Sequence, residues 1–193
     1  LLVKAQALSI WGRAYYHLGD FATAEARLEQ AIALYYMVGD RRNEFNTLSY
    51  IGRIRLDRDC YEAARDYFEQ ILDVQREIED KEGSADTLSH LGLIYACLGD
   101  YNVARSYLGH SLEIRKEIGN LAGEAETLGR FAMVYHQLGN YETTRRYCDL
   151  AQTIYGKIEH PEGESLCATY LGHALAGLDQ LQPAIDAYEM ALN

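Results

Sequence analysis

An all-α array of five helical hairpins is the fold this sequence predicts, and three observations predict it. Sliding the 193-residue chain on itself by 40 residues aligns Trp11-Gly12, Ile51-Gly52, Leu91-Gly92, Phe131-Ala132 and Leu171-Gly172 with no slip of register. The stretches between turns, about 16 to 18 residues each, carry apolar positions that step by three and four, which sets one side of an α-helix on a core. Two prolines against 16 glycines suit long helices joined by glycine turns and argue against a sandwich or barrel. With 48% hydrophobic and 24% charged residues, the chain can bury a core and is not of the disordered kind. Stacked repeats bury together a core that no single repeat could bury alone.

The elements follow in order. In the first hairpin, Leu8, Trp11, Gly12 and Tyr15 face Ala24, Leu28 and Ala31 across the turn Leu18-Gly19-Asp20-Phe21. In the second, Leu48, Ile51 and Gly52 face Ala64, Phe68 and Ile71, and the turn weakens to Asp59-Cys60-Tyr61. The third pairs Leu88, Leu91, Gly92 and Tyr95 with Ala104, Leu108 and Ser111 across Leu98-Gly99-Asp100-Tyr101. Leu128, Phe131, Ala132 and Tyr135 make the inward column of the fourth, before Leu138-Gly139-Asn140-Tyr141. The fifth has Leu171-Gly172 opposite Ala184, Tyr188 and Ala191, with the weaker turn Asp179-Gln180-Leu181. Gly83, Gly123 and Gly163 form a second column, read as the turn between hairpins, which bounds repeats near 3–40, 43–80, 83–120, 123–160 and 163–193, the last incomplete. Small residues opposite large ones let paired helices approach closely. Asp20, Asp100 and Asn140 are placed to cap the second helices by accepting from their first-turn amides. A start at Leu1 without Met and a short last helix lead us to expect a piece of a longer protein.

These columns resemble the tetratricopeptide repeat, whose pattern is W-x2-L-G-x2-Y, then G-x-[YF]-x2-A, then a large apolar residue and an Ala. The 40-residue period is similar to the long-repeat subclass of Pins-type adaptors, kinesin light chains and the sensor regions of bacterial signalling ATPases. Arg55 in place of the column's Tyr, Asp59 and Asp179 in place of its turn Gly, and second helices without a terminal proline depart from the common 34-residue pattern. The resemblance implies a right-handed α-α superhelix in which first helices line a concave wall. It also implies a non-catalytic module, within a larger intracellular regulator, that binds a peptide segment or partner domain there.

On that implied wall, one face away from the core column, lie Ser9, Arg13 and Tyr16; Ser49 and Arg53; Ser89 and Leu93; Met133 and His136; and Thr169 and His173. The stripe begins cationic, turns apolar and ends in histidines, so the partner expected is a protein or peptide with an acidic end and apolar anchors. Two other readings stand beside peptide capture: self-association through apolar end faces, giving a homodimer, and sensing of a small ligand by a bacterial regulator.

Other chemistry finds less support. A net charge of −11 disfavours nucleic acid and anionic membranes, and residues 147–193 carry Lys157 against seven acidic residues. Most tyrosines fall in 40-spaced packing columns and so are not stacking platforms for bases. His90, His136 and His173 recur near the implied wall, but without metal-ligand spacing in any one helix; no metal, cofactor or enzymatic site is expected. Four cysteines without a paired spacing suit a reducing, cytoplasmic setting. The longest uncharged stretch, Ser165 to Leu178, falls short of the roughly 20 residues a membrane span needs.

Overall fold

The structure, a computed structural model, describes residues 1–192. Among the described residues it is built of helices alone: α1 (Leu2–His17), α2 (Phe21–Val38), α3 (Arg41–Asp57), α4 (Tyr61–Glu77), α5 (Lys81–Cys97), α6 (Tyr101–Glu117), α7 (Leu121–Gln137), α8 (Tyr141–Lys157), α9 (Pro161–Gly177) and α10 (Leu181–Leu192). These ten helices form the five hairpins that the 40-residue period predicts.

The turns repeat at half that period. Every twentieth residue from 19 to 179 has a positive φ, between 54° and 83°: glycine at 19, 39, 99, 119 and 139, and Asp59, Glu79, Glu159 and Asp179 at the rest. This left-handed residue bends the chain back so that the next amide reaches a carbonyl five residues earlier, as in Asp20 N to Tyr15 O (3.0 Å) and Cys60 N to Arg55 O (2.9 Å). That next residue then caps the following helix. Asp20, Asp100 and Asn140 accept from Thr23 N (3.1 Å), Val103 N (3.4 Å) and Thr143 N (3.1 Å), as the sequence predicts. The same bond forms at Asp40, at Asn120 and, through Nδ1, at His160. Cys60 makes no side-chain cap bond.

The helices divide into two compact units, one of residues 1–94 and the other from residue 95 on. In the first, Ala5, Leu8, Ala31 and Tyr35 make one buried cluster, and Ala24, Leu28, Ile51 and Ile54 another. Gly12 and Gly52 bring α1 and α3 onto their hairpin partners: a Cβ would stand 2.6 Å from Leu28 Cγ at the former and 3.0 Å from the Phe68 ring at the latter. Trp11 corrects the predicted column. Its neighbour Gly12 takes the buried slot against Leu28, while the indole is 53% exposed under the Arg27 guanidinium, 5.0 Å away. Arg55, standing where the repeat has tyrosine, pairs with Glu25 at 2.5 Å.

In the second unit the tyrosine columns stack as repeat packing requires: Tyr95 on Tyr107 at 5.4 Å, Phe131 on Tyr147 at 4.9 Å and Tyr135 on Tyr147 at 5.5 Å. Burial pushes the thiols of Cys148 and Cys167 up to about 12 and about 11, so both stay protonated. One buried column changes residue type along the chain: Tyr35 and Gln75 in the first unit, Arg115 and Tyr155 in the second. It corrects the reading of Gly83, Gly123 and Gly163 as a turn: they lie in the first turns of α5, α7 and α9, where a Cβ would stand 2.7 Å from Gln75 Nε2, 2.8 Å from Arg115 Cδ or 2.5 Å from Tyr155 Cε1. Arg115, 1% exposed, donates to the Gly123 carbonyl oxygen, to Thr127 Oγ1 (2.9 Å) and to Glu126 Oε2 (3.1 Å). Such bonding makes a buried guanidinium tolerable.

Candidate partner-binding site

Helical spacing puts Ser49 and Arg53 one turn apart on α3, and hairpin stacking sets that face beside Arg13 of α1. All three line an open cleft of about 320 Å³ in the first unit. The organising side chain is Tyr50, with the Arg13 guanidinium 5.2 Å and the Arg53 guanidinium 5.0 Å from its ring centre. Arg53 also lies 4.8 Å from the Tyr16 ring, which meets Tyr50 edge-on at 5.7 Å. Burial first, then a hydrogen bond to Asp57, raises the Tyr16 phenol above its ordinary value. Neither Arg13 nor Arg53 has a carboxylate within ion-pair distance among the described residues. Stacking on an aromatic ring orients a guanidinium while leaving its N–H edge able to bond an anion.

The floor and far wall come from α4 and α5. Phe68 stacks on His90 at 4.9 Å, Gln75 lies below, and Glu82 and Asp86 stand on α5. Arg42 reaches Asp80, which precedes α5, at 3.4 Å. The stripe misses Arg42, Tyr50 and Gln75. Arg42 and Tyr50 lie on the same helix as Ser49 and Arg53 and were within reach of the spacing argument; Gln75, on a second helix, was not.

The other predicted positions fare differently. Ser9 bonds Thr47 across α1 and α3 (3.1 Å), and the Ser49 hydroxyl donates to the Asn46 carbonyl (2.8 Å). Ser89, unlike the rest of the stripe, is wholly buried, and its hydroxyl has no hydrogen-bond partner. Leu93 is half-buried. In the second unit, Met133 packs on the cluster of Ala96, Phe131 and Val134. Thr169 Oγ1 donates to the Ser165 carbonyl (3.1 Å). His136 stacks on His173 at 5.5 Å and lies near Tyr141 and Tyr170, while His173 meets Tyr188 edge-on at 5.5 Å. Burial, then the neighbouring His173, holds His136 below the usual imidazole value, so it is neutral at pH 7. Among the described residues no three His, Cys, Asp or Glu side chains gather as a metal site, and no helix is long and apolar enough to cross a membrane.

Hairpins of this period, with a polar cleft on their first helices, define a helical-repeat protein. The chain belongs to the tetratricopeptide repeat family, whose model matches residues 43–117 and 123–193. No curated protein matches it in sequence. Among solved structures it is similar to BtubC (BKLC) from P. vanneervenii, with TM-score 0.81 and 17% identity, covering 96% of this chain and 77% of that one. It is also similar to a signal transduction ATPase with numerous domains that carries a tetratricopeptide repeat sensor, from Pyrococcus horikoshii, with TM-score 0.77, 20% identity and coverage of 98% and 33%. A Rap protein complexed with competence and sporulation factor matches with TM-score 0.80, 19% identity and coverage of 99% and 61%. The chain thus spans a third of the ATPase and under two thirds of the Rap protein, and at these identities the likeness speaks for the fold.

Proposed function

We propose that the chain is a non-catalytic protein-interaction module that captures an acidic segment of a partner in the cleft of its first unit. One observation carries the reading: Arg13 and Arg53 are both stacked on Tyr50, and neither has a carboxylate partner among the described residues. In a chain of net charge −11, two neighbouring guanidiniums without a carboxylate in ion-pair contact are available to an external anion. Ser49, its hydroxyl held by the Asn46 carbonyl, lines the same face, and Tyr16 adds an aromatic wall that holds Arg53. The Rap protein's complex and the ATPase's repeat sensor support a recognition role by analogy of fold. The regulatory output belongs to whatever larger protein holds the module.

Titration of acidic peptides by calorimetry against the wild type and the Arg13→Ala, Arg53→Glu double variant tests it. Loss of two charge-assisted bonds should weaken binding by about tenfold or more, and wild-type affinity should fall as salt rises. Equal affinity of the two proteins for every acidic peptide would sink the reading.

A further inference from the structure

The cleft's two walls carry opposite charge. Arg13 and Arg53 stand on the α1 and α3 side, Glu82 and Asp86 on the α5 side. Arg42 and Asp80 also line it but meet each other at 3.4 Å, so they add little net field. A phosphate or an all-acidic segment would gain from one wall and be repelled by the other, since three carboxylates face three guanidiniums across the lining. A ligand bearing both signs meets attraction on both sides.

The floor is polar but closed. Gln75 is 2% exposed, and its Oε1 is buried without a hydrogen-bond partner. Its Nε2 and Asp80 Oδ2 both lie within 2.7 Å of where a Gly83 Cβ would stand. A buried acceptor without a donor is costly, and this one is closed to solvent, so recognition rests on the two charged walls.

Resting on the partner-capture reading above, we propose that the cleft recognises a partner segment with an acidic and a basic side chain side by side. The carboxylate lies against Arg13 and Arg53. The ammonium or guanidinium turns to Glu82 and Asp86. The cleft's volume of about 320 Å³ is at the small end for ligand sites and suits two side chains, not a whole folded partner.

Four synthetic peptides of one length test the idea: mixed (adjacent Glu and Lys), acid only, base only and neutral. Free glutamate and free lysine serve as small zwitterions, and each is titrated into the 193-residue chain and into its Glu82→Lys variant, which changes an exposed residue. The mixed peptide should bind the wild type at least about tenfold more tightly than the acid-only peptide, and Glu82→Lys should erase that preference while leaving acid-only binding no weaker. If mixed and acid-only peptides bind the wild type alike, the two-sign proposal fails and acidic capture survives. If no acidic peptide binds, both fall. If a free amino acid binds as tightly as the mixed peptide, the occupant is a small zwitterion and the segment proposal is overturned.

Discussion

Gly163 and Gly109 are both helical glycines, yet the same substitution should move stability in opposite directions. At Gly163 an added Cβ would stand 2.5 Å from the ring of Tyr155, which is buried and has no room to retreat. Gly163→Ala should therefore destabilise by about 1–2 kcal/mol net of the helix-propensity gain. At Gly109 nothing lies within 4 Å of the added atom, and Gly109→Ala should stabilise by about 0.5–1 kcal/mol. Urea unfolding of the two variants checks the pair; equal signs would mean that the tight fit at Tyr155 relaxes freely. The sequence showed Gly163 as part of a column but not why the column exists. The reason lies in the side chain eight residues earlier, which is Gln, Arg or Tyr by turns and so presents no motif. The site divides the same way: helical spacing found Arg13, Ser49 and Arg53, whereas Gln75 reaches the cleft from a second helix through hairpin packing.

Each helix and its turn together span 20 residues, with a left-handed residue and then a cap, and α4 is the element where this chemistry is weakest. Cys60 offers its first turn no oxygen, while Asp20, Asp40 and Asp100 at equivalent places accept from the third amide beyond them. Cys60→Asp should stabilise the first unit by about 0.5–1.5 kcal/mol, measured as a higher midpoint of denaturant unfolding. An unchanged midpoint would show that packing of α4 and not its cap limits that hairpin. Glu79 precedes the capping Asp80 with φ at 54°, a conformation that costs any residue with a Cβ about 1–2 kcal/mol. The repeat tolerates this because the turn's backbone bonds, Asp80 N to Gln75 O among them, hold it in place. The sequence shift of 40 exposed the turns within hairpins, at Gly19, Gly99 and Gly139 and, with Asp in place of Gly, at Asp59 and Asp179; those between hairpins, at Gly39, Glu79, Gly119 and Glu159, were less legible, because the column of Gly83, Gly123 and Gly163 lies a few residues on, inside the next helix.

At the scale of the molecule, two compact units each hold their own apolar clusters, and both are made from a chain with 29 acidic and 18 basic residues. Ion pairs such as Arg41–Glu44, Arg65–Asp66 and Arg145–Glu142 have at least one half-exposed partner and contribute little each. Net repulsion should outweigh them, so the Tm should rise by a few degrees between about 20 and 300 mM NaCl as the charges are screened. A Tm that falls with salt would mean that the ion pairs dominate. The sequence by itself determined the helices, the hairpin turns, the caps at Asp20, Asp100 and Asn140 and the helix face that carries Arg53 and Ser49, because each depends on spacing within a few turns of chain, and it showed their period by simple recurrence. Only the tertiary structure decided that Trp11 is exposed and Ser89 buried, that Tyr50 gathers two unpaired guanidiniums, and that Gln75 lies beneath them. Those outcomes depend on which neighbouring helix covers a side chain, a contact between residues tens of positions apart that no local periodicity encodes.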